Sequence, residues 1–130
     1  MEFTIKTSKR EEIVDITKQV EEIVDKLSDE DSKACLVYAL HSTCSVIVEE
    51  NYDPTVCNDL LRWLKEKIPS GTWEHDKTDG NADAHIKSSI LGPSQILPVE
   101  NGKLQLGKWQ GIALAEFDGP RERKIIIKIF

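Results

Sequence analysis

The sequence predicts an α+β fold built on antiparallel hairpins, and three observations carry that expectation. Segments follow the order strands, helix, strands, helix, then more strands, with no repeating βαβ unit. The strand candidates are short, rich in β-branched residues, and bounded by polar turn residues. The 130 residues suit a single domain, 1–130, because glycine and proline are scattered and neither a low-complexity tract nor an internal period interrupts them.

The opening EFTIKTS alternates polar and apolar residues as a half-buried strand does, and EEIVDI would pair with it as a hairpin across Ser8, Lys9 and Arg10. A helical reading stays open, since Ile13, Ile16, Val20, Ile23, Val24 and Leu27 fit one helix face and Ser8 with Glu11 imitates a capping box. The β-branched run favours a strand to about Ile16 and then a helix over 17–27, capped by Asp15 or Thr17. After the polar break SDEDS, ACLVYAL and SVIVEE read as two adjacent core strands separated by HST. DPTVCNDLLRWLKEKI offers Asp53 as cap, Pro54 at the first helical position, one apolar face from Val56 to Ile68, and a stop before Pro69. Residues 69–83 lack apolar periodicity and read as a long loop of the kind that often carries function. DAHIKSSILG follows as a short helix with Asp83 as cap and Gly92 as stop. SQILPV, KLQL, WQGIALAEF and RKIIIKIF are strand candidates, the first two joined by the turn ENG.

The formal net charge is −6, and Lys and Arg are dispersed, so a duplex-binding footprint is not expected, while a local phosphate pocket is compatible with this balance. The longest apolar run, ACLVYAL, is too short to cross a bilayer, and MEFTIKTSKREE has no apolar signal core. A cytoplasmic protein without nucleic-acid or membrane partners is the expectation. Cys35, Cys44 and Cys57 form no C-x-x-C pair and read as reduced packing residues.

Chemistry concentrates in HDKTDGNADAHIKSSILG, residues 75–92, which holds His75 and His85 with Asp76, Asp79 and Asp83. His41 stands between two predicted strands, so all three histidines lie near element ends that can converge on a cleft. Three neutral imidazoles, or two with a carboxylate, suit a zinc site that keeps one position for water or substrate. No H-E-x-x-H is present, and ordinary hydrogen-bonded histidines are the alternative. The aspartates are placed to fix a histidine tautomer or act as a base, or simply to serve as turn and cap residues. The first amides of the helix near Ala84 would favour a phosphate, with Lys87 and Ser88 one turn inside, unless Lys87 is merely solvated. LGKWQGIALAEFDGPRER sets Trp109 and Gln110 at a strand start and Glu116, Asp118 and Arg121 near its end. Trp109 as a core residue and DGPR as a plain turn remain alternatives.

Taken in order, HSTCSVIVEENYDP, GNADAHIKSSILG and LGKWQGIALAEFDGPR resemble the YjbQ family, often labelled secondary thiamine-phosphate synthases, and the likeness runs from about Ile5 to Ile129. The resemblance implies an antiparallel sheet curled into a sandwich or half-barrel with two or three helices packed on it, assembled as a homotrimer. It implies a divalent metal on His41, His75 and His85, with zinc expected and Mg²⁺ if the synthase activity applies. Around it, Asn51, Asn81, Lys87, Ser88, Trp109, Gln110 and Arg121 would bind a small phosphorylated substrate, and Asp79, Asp83 and Glu116 would be catalytic. The implied reaction joins a hydroxymethylpyrimidine diphosphate to a thiazole phosphate and releases pyrophosphate. Cys44, Asp79 and Lys108 depart from the family pattern, which more often has Ala, Glu and Thr there, and Asp79 has a shorter reach than Glu. A metal-dependent hydrolase of a phosphate ester or amide, and a noncatalytic trimeric scaffold around a structural ion, are the rival readings.

Overall fold

The computed structural model describes Met1–Phe130. Along the chain run β1 (Glu2–Lys6), β2 (Glu12–Asp15), α1 (Thr17–Leu27), β3 (Ala34–Ala39), β4 (Cys44–Glu50), α2 (Pro54–Lys67) and a 3-10 turn (Glu74–Lys77). They continue as α3 (Ala82–Leu91), β5 (Ser94–Glu100), β6 (Lys103–Leu104), β7 (Gln110–Glu116) and β8 (Glu122–Ile129). All pairings are antiparallel, in a five-stranded sheet of order β1-β8-β3-β5-β6 and a three-stranded sheet of order β2-β7-β4. The larger sheet curls as a half-barrel, with the smaller sheet and the helices packed on it, as the α+β expectation requires.

Local chemistry sets most boundaries where the sequence puts them. Asp15 accepts from the Thr17 amide at 2.9 Å and Asp53 from the Thr55 amide at 2.9 Å, so each carboxylate satisfies an orphan donor of the helix it precedes. Asn101 and Gly102 both take positive φ, 51° and 73°, and close the hairpin between β5 and β6. α3 departs from expectation at its start. Asn81 occupies the cap position, and the Ala82 amide is satisfied at 3.0 Å by Asp76 from the 3-10 turn instead of by Asp83.

Pairing is where the structure corrects the sequence reading. β1 and β2 do not form a hairpin, because β1 pairs with β8 and β2 with β7. Glu12 folds back to accept from the Ser8 amide at 2.5 Å and the Lys9 amide at 3.3 Å, which turns the chain out of the first sheet. The segments on either side of HST likewise lie in different sheets, β3 beside β5 and β8, and β4 beside β7. The chain also switches sheets directly between β7 and β8. These crossings are corners at which successive strands switch sheets, and they carry residues 7–11, 40–43 and 117–121 to the same end of the sandwich.

Strand alternation explains the two cores. Ile112 and Leu114 of β7 face the larger sheet and α1, joining Val20, Val24, Val37, Val46, Ile125 and Ile127. Ala113, Ala115 and then Phe117 face the other way, onto Leu64 and Ile68 of α2 and Ala84 of α3. The small sheet is therefore covered on both faces, which is why β7 reads as a nearly unbroken apolar run. No helix is long and apolar enough to cross a membrane.

Candidate functional site

The sheet-switching corners enclose a polar cleft of about 690 Å³ lined by 11 residues, of which only Leu40 is hydrophobic. His41, Ser42 and Thr43 come from the β3–β4 corner, and Asp118, Pro120 and Arg121 from the β7–β8 corner. Asn81 and His85 come from the start of α3, and Glu122 and Arg123 from β8.

At the floor of the cleft lies an ion pair that is almost wholly buried. Glu116 is 0% and Arg123 2% exposed, and the Arg123 Nε donates to Glu116 Oε1 at 2.9 Å. Thr7 Oγ1 and the Phe117 amide also donate to this carboxylate, at 2.7 and 3.1 Å, and Arg123 Nη2 reaches Thr43 Oγ1 at 2.8 Å. A carboxylate with both oxygens engaged this way positions the corner that carries Asp118 and Arg121, and it does not have the freedom of a general base. Arg123 was missed by sequence reasoning, although its phase with Ile125 and Ile127 along β8 marks it as an inward-facing arginine.

A second ionic cluster ties the β1–β2 corner to α3. Lys87, 1% exposed, donates to Asp83 and Glu11, each at 2.9 Å, and Arg10 Nη2 donates to Asp83 Oδ1 at 3.0 Å. Burial alone would raise the Asp83 pKa, but the hydrogen bonds from Arg10 and Lys87 outweigh it and hold the carboxyl below its usual range. The phosphate contacts expected of Lys87 and the first α3 amide are thus already occupied, one by two carboxylates and the other by Asp76. Ser88 is likewise committed, its hydroxyl donating to the Cys44 carbonyl at 2.6 Å. Arg10 and Glu11 completed a network of which sequence analysis named only Asp83 and Lys87.

What remains free to act faces the cleft. Arg121 has a half-exposed side chain and is aimed by Asp118, whose carbonyl accepts from Nε at 2.7 Å and whose Oδ2 accepts from Nη2 at 3.0 Å. Asn81 Nδ2 donates to the same Asp118 Oδ2 at 2.9 Å, while its Oδ1 is buried without a partner. His41 Nε2 accepts from the Lys124 amide at 2.8 Å. A neutral imidazole whose Nε2 accepts must carry its proton on Nδ1. Burial, reinforced by the charges of Arg123 and Arg121 and opposed by Glu116, keeps the His41 pKa below the ordinary histidine value.

His75 and His85 sit edge to face with ring centroids 5.0 Å apart, and His75 Nε2 lies 3.5 Å from Asp79 Oδ2. His85 also lines the polar cleft beside His41, so it stands between the other two histidines. The expected three-imidazole zinc site does not fit this arrangement. Within the chain no group of three or more His, Cys, Asp or Glu side chains is placed to hold a metal ion. The chemical obstacle is His41, whose Nε2 lone pair is spent on Lys124 and whose Nδ1 bears a proton. None of the three cysteines belongs to such a group either. Burial pushes Cys35 and Cys44 up to about 11, and burial with a hydrogen bond to Glu49 pushes Cys57 up to about 12.

Sequence and fold comparisons agree on ancestry. A family model described as "UPF0047 protein YjbQ-like" matches residues 1–130. The chain belongs to the YjbQ-like UPF0047 family. A UPF0047 protein of Archaeoglobus fulgidus is 45% identical over 129 residues, covering 98% of each chain, and YugU of Bacillus subtilis is 47% identical over 128 residues, covering 96% of this chain and 94% of that one. A crystal structure of an uncharacterized YjbQ/UPF0047 protein from Clostridium acetobutylicum superposes with a TM-score of 0.93 at 42% identity, covering 100% of this chain and 99% of that one. A Sulfolobus solfataricus protein of unknown function gives a TM-score of 0.93 at 40% identity, covering 99% of this chain and 94% of that one.

The YjbQ-like motif residues do not all reach the cleft. Cys44 of β4 pairs with Glu116 of β7 at the cleft end, whereas Glu50 pairs with Gln110 at the other. Seven-residue strands separate those ends by roughly 20 Å. Asn51 and Gln110 therefore line a separate polar cavity of about 560 Å³ with Asp15, Thr17 and Lys108. Trp109 is half exposed there, packed edge on against Tyr52 at 5.0 Å with Lys108 Nζ 4.7 Å over its ring. Gly111 explains part of this motif physically, because a Cβ at that position would overlap the Asn51 amide. Within one chain these motif residues line two separate cavities at opposite ends of one strand pair.

Proposed function

We propose that the corner cleft binds the phosphate or diphosphate of a small substrate and that the chain is a transferase of the secondary thiamine-phosphate synthase type. The supporting observation is the Arg121 guanidinium, aimed by Asp118 into a cleft whose other walls present His41 and His85. In the proposed reaction the thiazole nitrogen attacks the pyrimidine methylene carbon with its lone pair. The new C–N bond forms as the C–O bond to the diphosphate breaks, and pyrophosphate leaves with that electron pair. No proton is removed from the nucleophile, so no carboxylate base is needed. Charge develops on the leaving oxygens, where Arg121 and the Nδ1–H of His41 are suited to receive it.

The committed carboxylates favour this reading over the hydrolase, which needs Asp79 or Asp83 to handle a proton. Asp83 is locked in its ion pairs, and Asp79 lies on the exposed loop beside His75. In this proposal the divalent ion is Mg²⁺ brought by the diphosphate as part of the substrate, which suits a metal that prefers phosphate oxygens and water. The proposal extends to a homotrimer, supported by the apolar residues that the larger sheet turns outward, among them Tyr38 and Ile96.

The test supplies the pure chain with Mg²⁺, hydroxymethylpyrimidine diphosphate and thiazole phosphate. Release of pyrophosphate that depends on thiazole phosphate is expected, and Arg121→Ala should lower kcat/KM by about 10². No condensation product from folded wild-type protein would remove the synthase reading.

A further inference from the structure

The cavity of about 560 Å³ at the far end of β4 and β7 shares no residue with the corner cleft. Several of its polar side chains are held by one atom and leave another with hydrogen-bonding capacity to spare. Asp15 spends Oδ1 on the Thr17 amide and hydroxyl, at 2.9 and 2.6 Å, and keeps Oδ2 as an acceptor. Gln110 spends Oε1 on the Gly107 amide at 2.8 Å, which sets the orientation of its carboxamide and leaves Nε2 as a donor. Asn51 is set the other way, with Nδ2 toward the Thr17 hydroxyl at 3.4 Å and the Asp15 carboxyl, so that Oδ1 is its remaining acceptor. Glu21 adds a second, exposed carboxylate one turn into α1. The apolar part of the lining is Leu104, Leu106 and the exposed ring of Tyr52, which Trp109 braces edge to face. Charge narrows the ligand. Two carboxylates against the single ammonium of Lys108 disfavour an anion, and that ammonium, 4.7 Å over the Trp109 ring, already holds the place a ligand cation would take. An uncharged ligand with one apolar face and a rim of groups that both donate and accept meets these conditions. Vicinal ring hydroxyls are such groups.

We propose that this cavity binds an uncharged pyranose sugar, the C–H face of its ring on Tyr52 and its hydroxyls donating to Asp15 and Glu21 while accepting from Gln110 and Lys108. Gly111 belongs to the same device, since the absence of a Cβ there lets the Asn51 amide lie against β7. The sugar site goes beyond the transferase reading and does not depend on it.

NMR titration of the full chain with the methyl glycosides of glucose, galactose and mannose tests it. At least one glycoside should shift the Gln110 side-chain NH₂ and the Gly107 amide saturably, with a Kd on the order of 1 mM. Tetrahydropyran-2-methanol keeps the ring and lacks the ring hydroxyls, and it should bind at least about tenfold more weakly, because a site built to pair with hydroxyls rejects the analogue without them. Inorganic phosphate should leave the Gln110 and Gly107 signals in place. Gln110→Ala would also release the Gly107 amide, so the variants are taken at the exposed positions. Glu21→Ala and Tyr52→Ala should each weaken the glycoside by about tenfold, whereas Tyr52→Phe, which keeps the ring, should stay within about threefold of wild type. Wild-type signals unmoved by all three glycosides up to about 100 mM would overturn the sugar site. So would equal affinity for tetrahydropyran-2-methanol, a saturable response of Gln110 and Gly107 to phosphate, or wild-type affinity in both Glu21→Ala and Tyr52→Ala.

Discussion

Glu116 and Arg123 are almost wholly withdrawn from water, so each depends on the other. Replacing one member of a buried pair leaves the other charged, desolvated and unpaired, which costs about 3–5 kcal/mol, more than the pair gains over an apolar substitute. Glu116→Gln should therefore lower the unfolding free energy by about 3 kcal/mol in urea titrations. A loss below about 1 kcal/mol would mean that water reaches Arg123 and that the corner is not held as described. His41 gives a residue-scale prediction about pH. Its folded pKa is depressed by burial and by Arg123 and Arg121, so the unfolded chain takes up a proton more readily than the folded one. The stability that neutral His41 contributes is fully present above its unfolded value of about 6.5 and is lost as pH falls through the lower folded value. His41→Gln keeps an acceptor for the Lys124 amide and does not titrate. Between pH 7.5 and 5 the wild type should lose urea stability faster than this variant, and parallel curves would show that His41 is not the group responsible.

Elements were legible wherever a short-range signal set them. Pro54 behind Asp53 fixes the start of α2, Gly92 with φ of 87° ends α3, and Asn101-Gly102 closes β5 onto β6. The start of α3 was not legible, because its capping carboxylate comes from a separate turn. Asp76 could not be told from Asp83 by position alone, and only the folded loop shows which one reaches the Ala82 amide. Asp76→Ala should consequently leave the sheets intact and loosen the segment from Trp73 to Ala82. Amide exchange there should accelerate by at least about tenfold while β7 and β8 keep their protection. Unchanged exchange at Trp73 and Ala82 would show that these amides do not depend on the carboxylate. Exchange that rises throughout the molecule would show that the loop and the core open together.

At the scale of the whole molecule, residue types were easier to read than their grouping. His41, Asn81, His85, Asp118 and Arg121 do share the corner cleft, but Asn51 and Gln110 lie at the opposite end of β4 and β7, because antiparallel register pairs the start of one strand with the end of the other. The exchange of strands between sheets was likewise invisible, since EFTIKTS and EEIVDI are each good strands and nothing local says that they part. The outward face of the larger sheet raises a further question at this scale. Leu36 pairs with Ile96, and Tyr38 with Ile126, on the face opposite the core, where an antiparallel sheet open to water would ordinarily be polar. Ile96 is 72% exposed and Leu40 50%, and Leu40 also borders the catalytic cleft proposed above. If this face is covered in the proposed trimer, a carboxylate at its centre is desolvated on assembly and must oppose it. Ile96→Glu should shift light-scattering mass from the proposed trimer to monomer while circular dichroism keeps the wild-type fold, and the proposed synthase turnover should fall with it because the rim at Leu40 loses its neighbour. A wild-type chain that is monomeric at micromolar concentration, or an Ile96→Glu variant that assembles unchanged, would show that this face is not where the subunits meet.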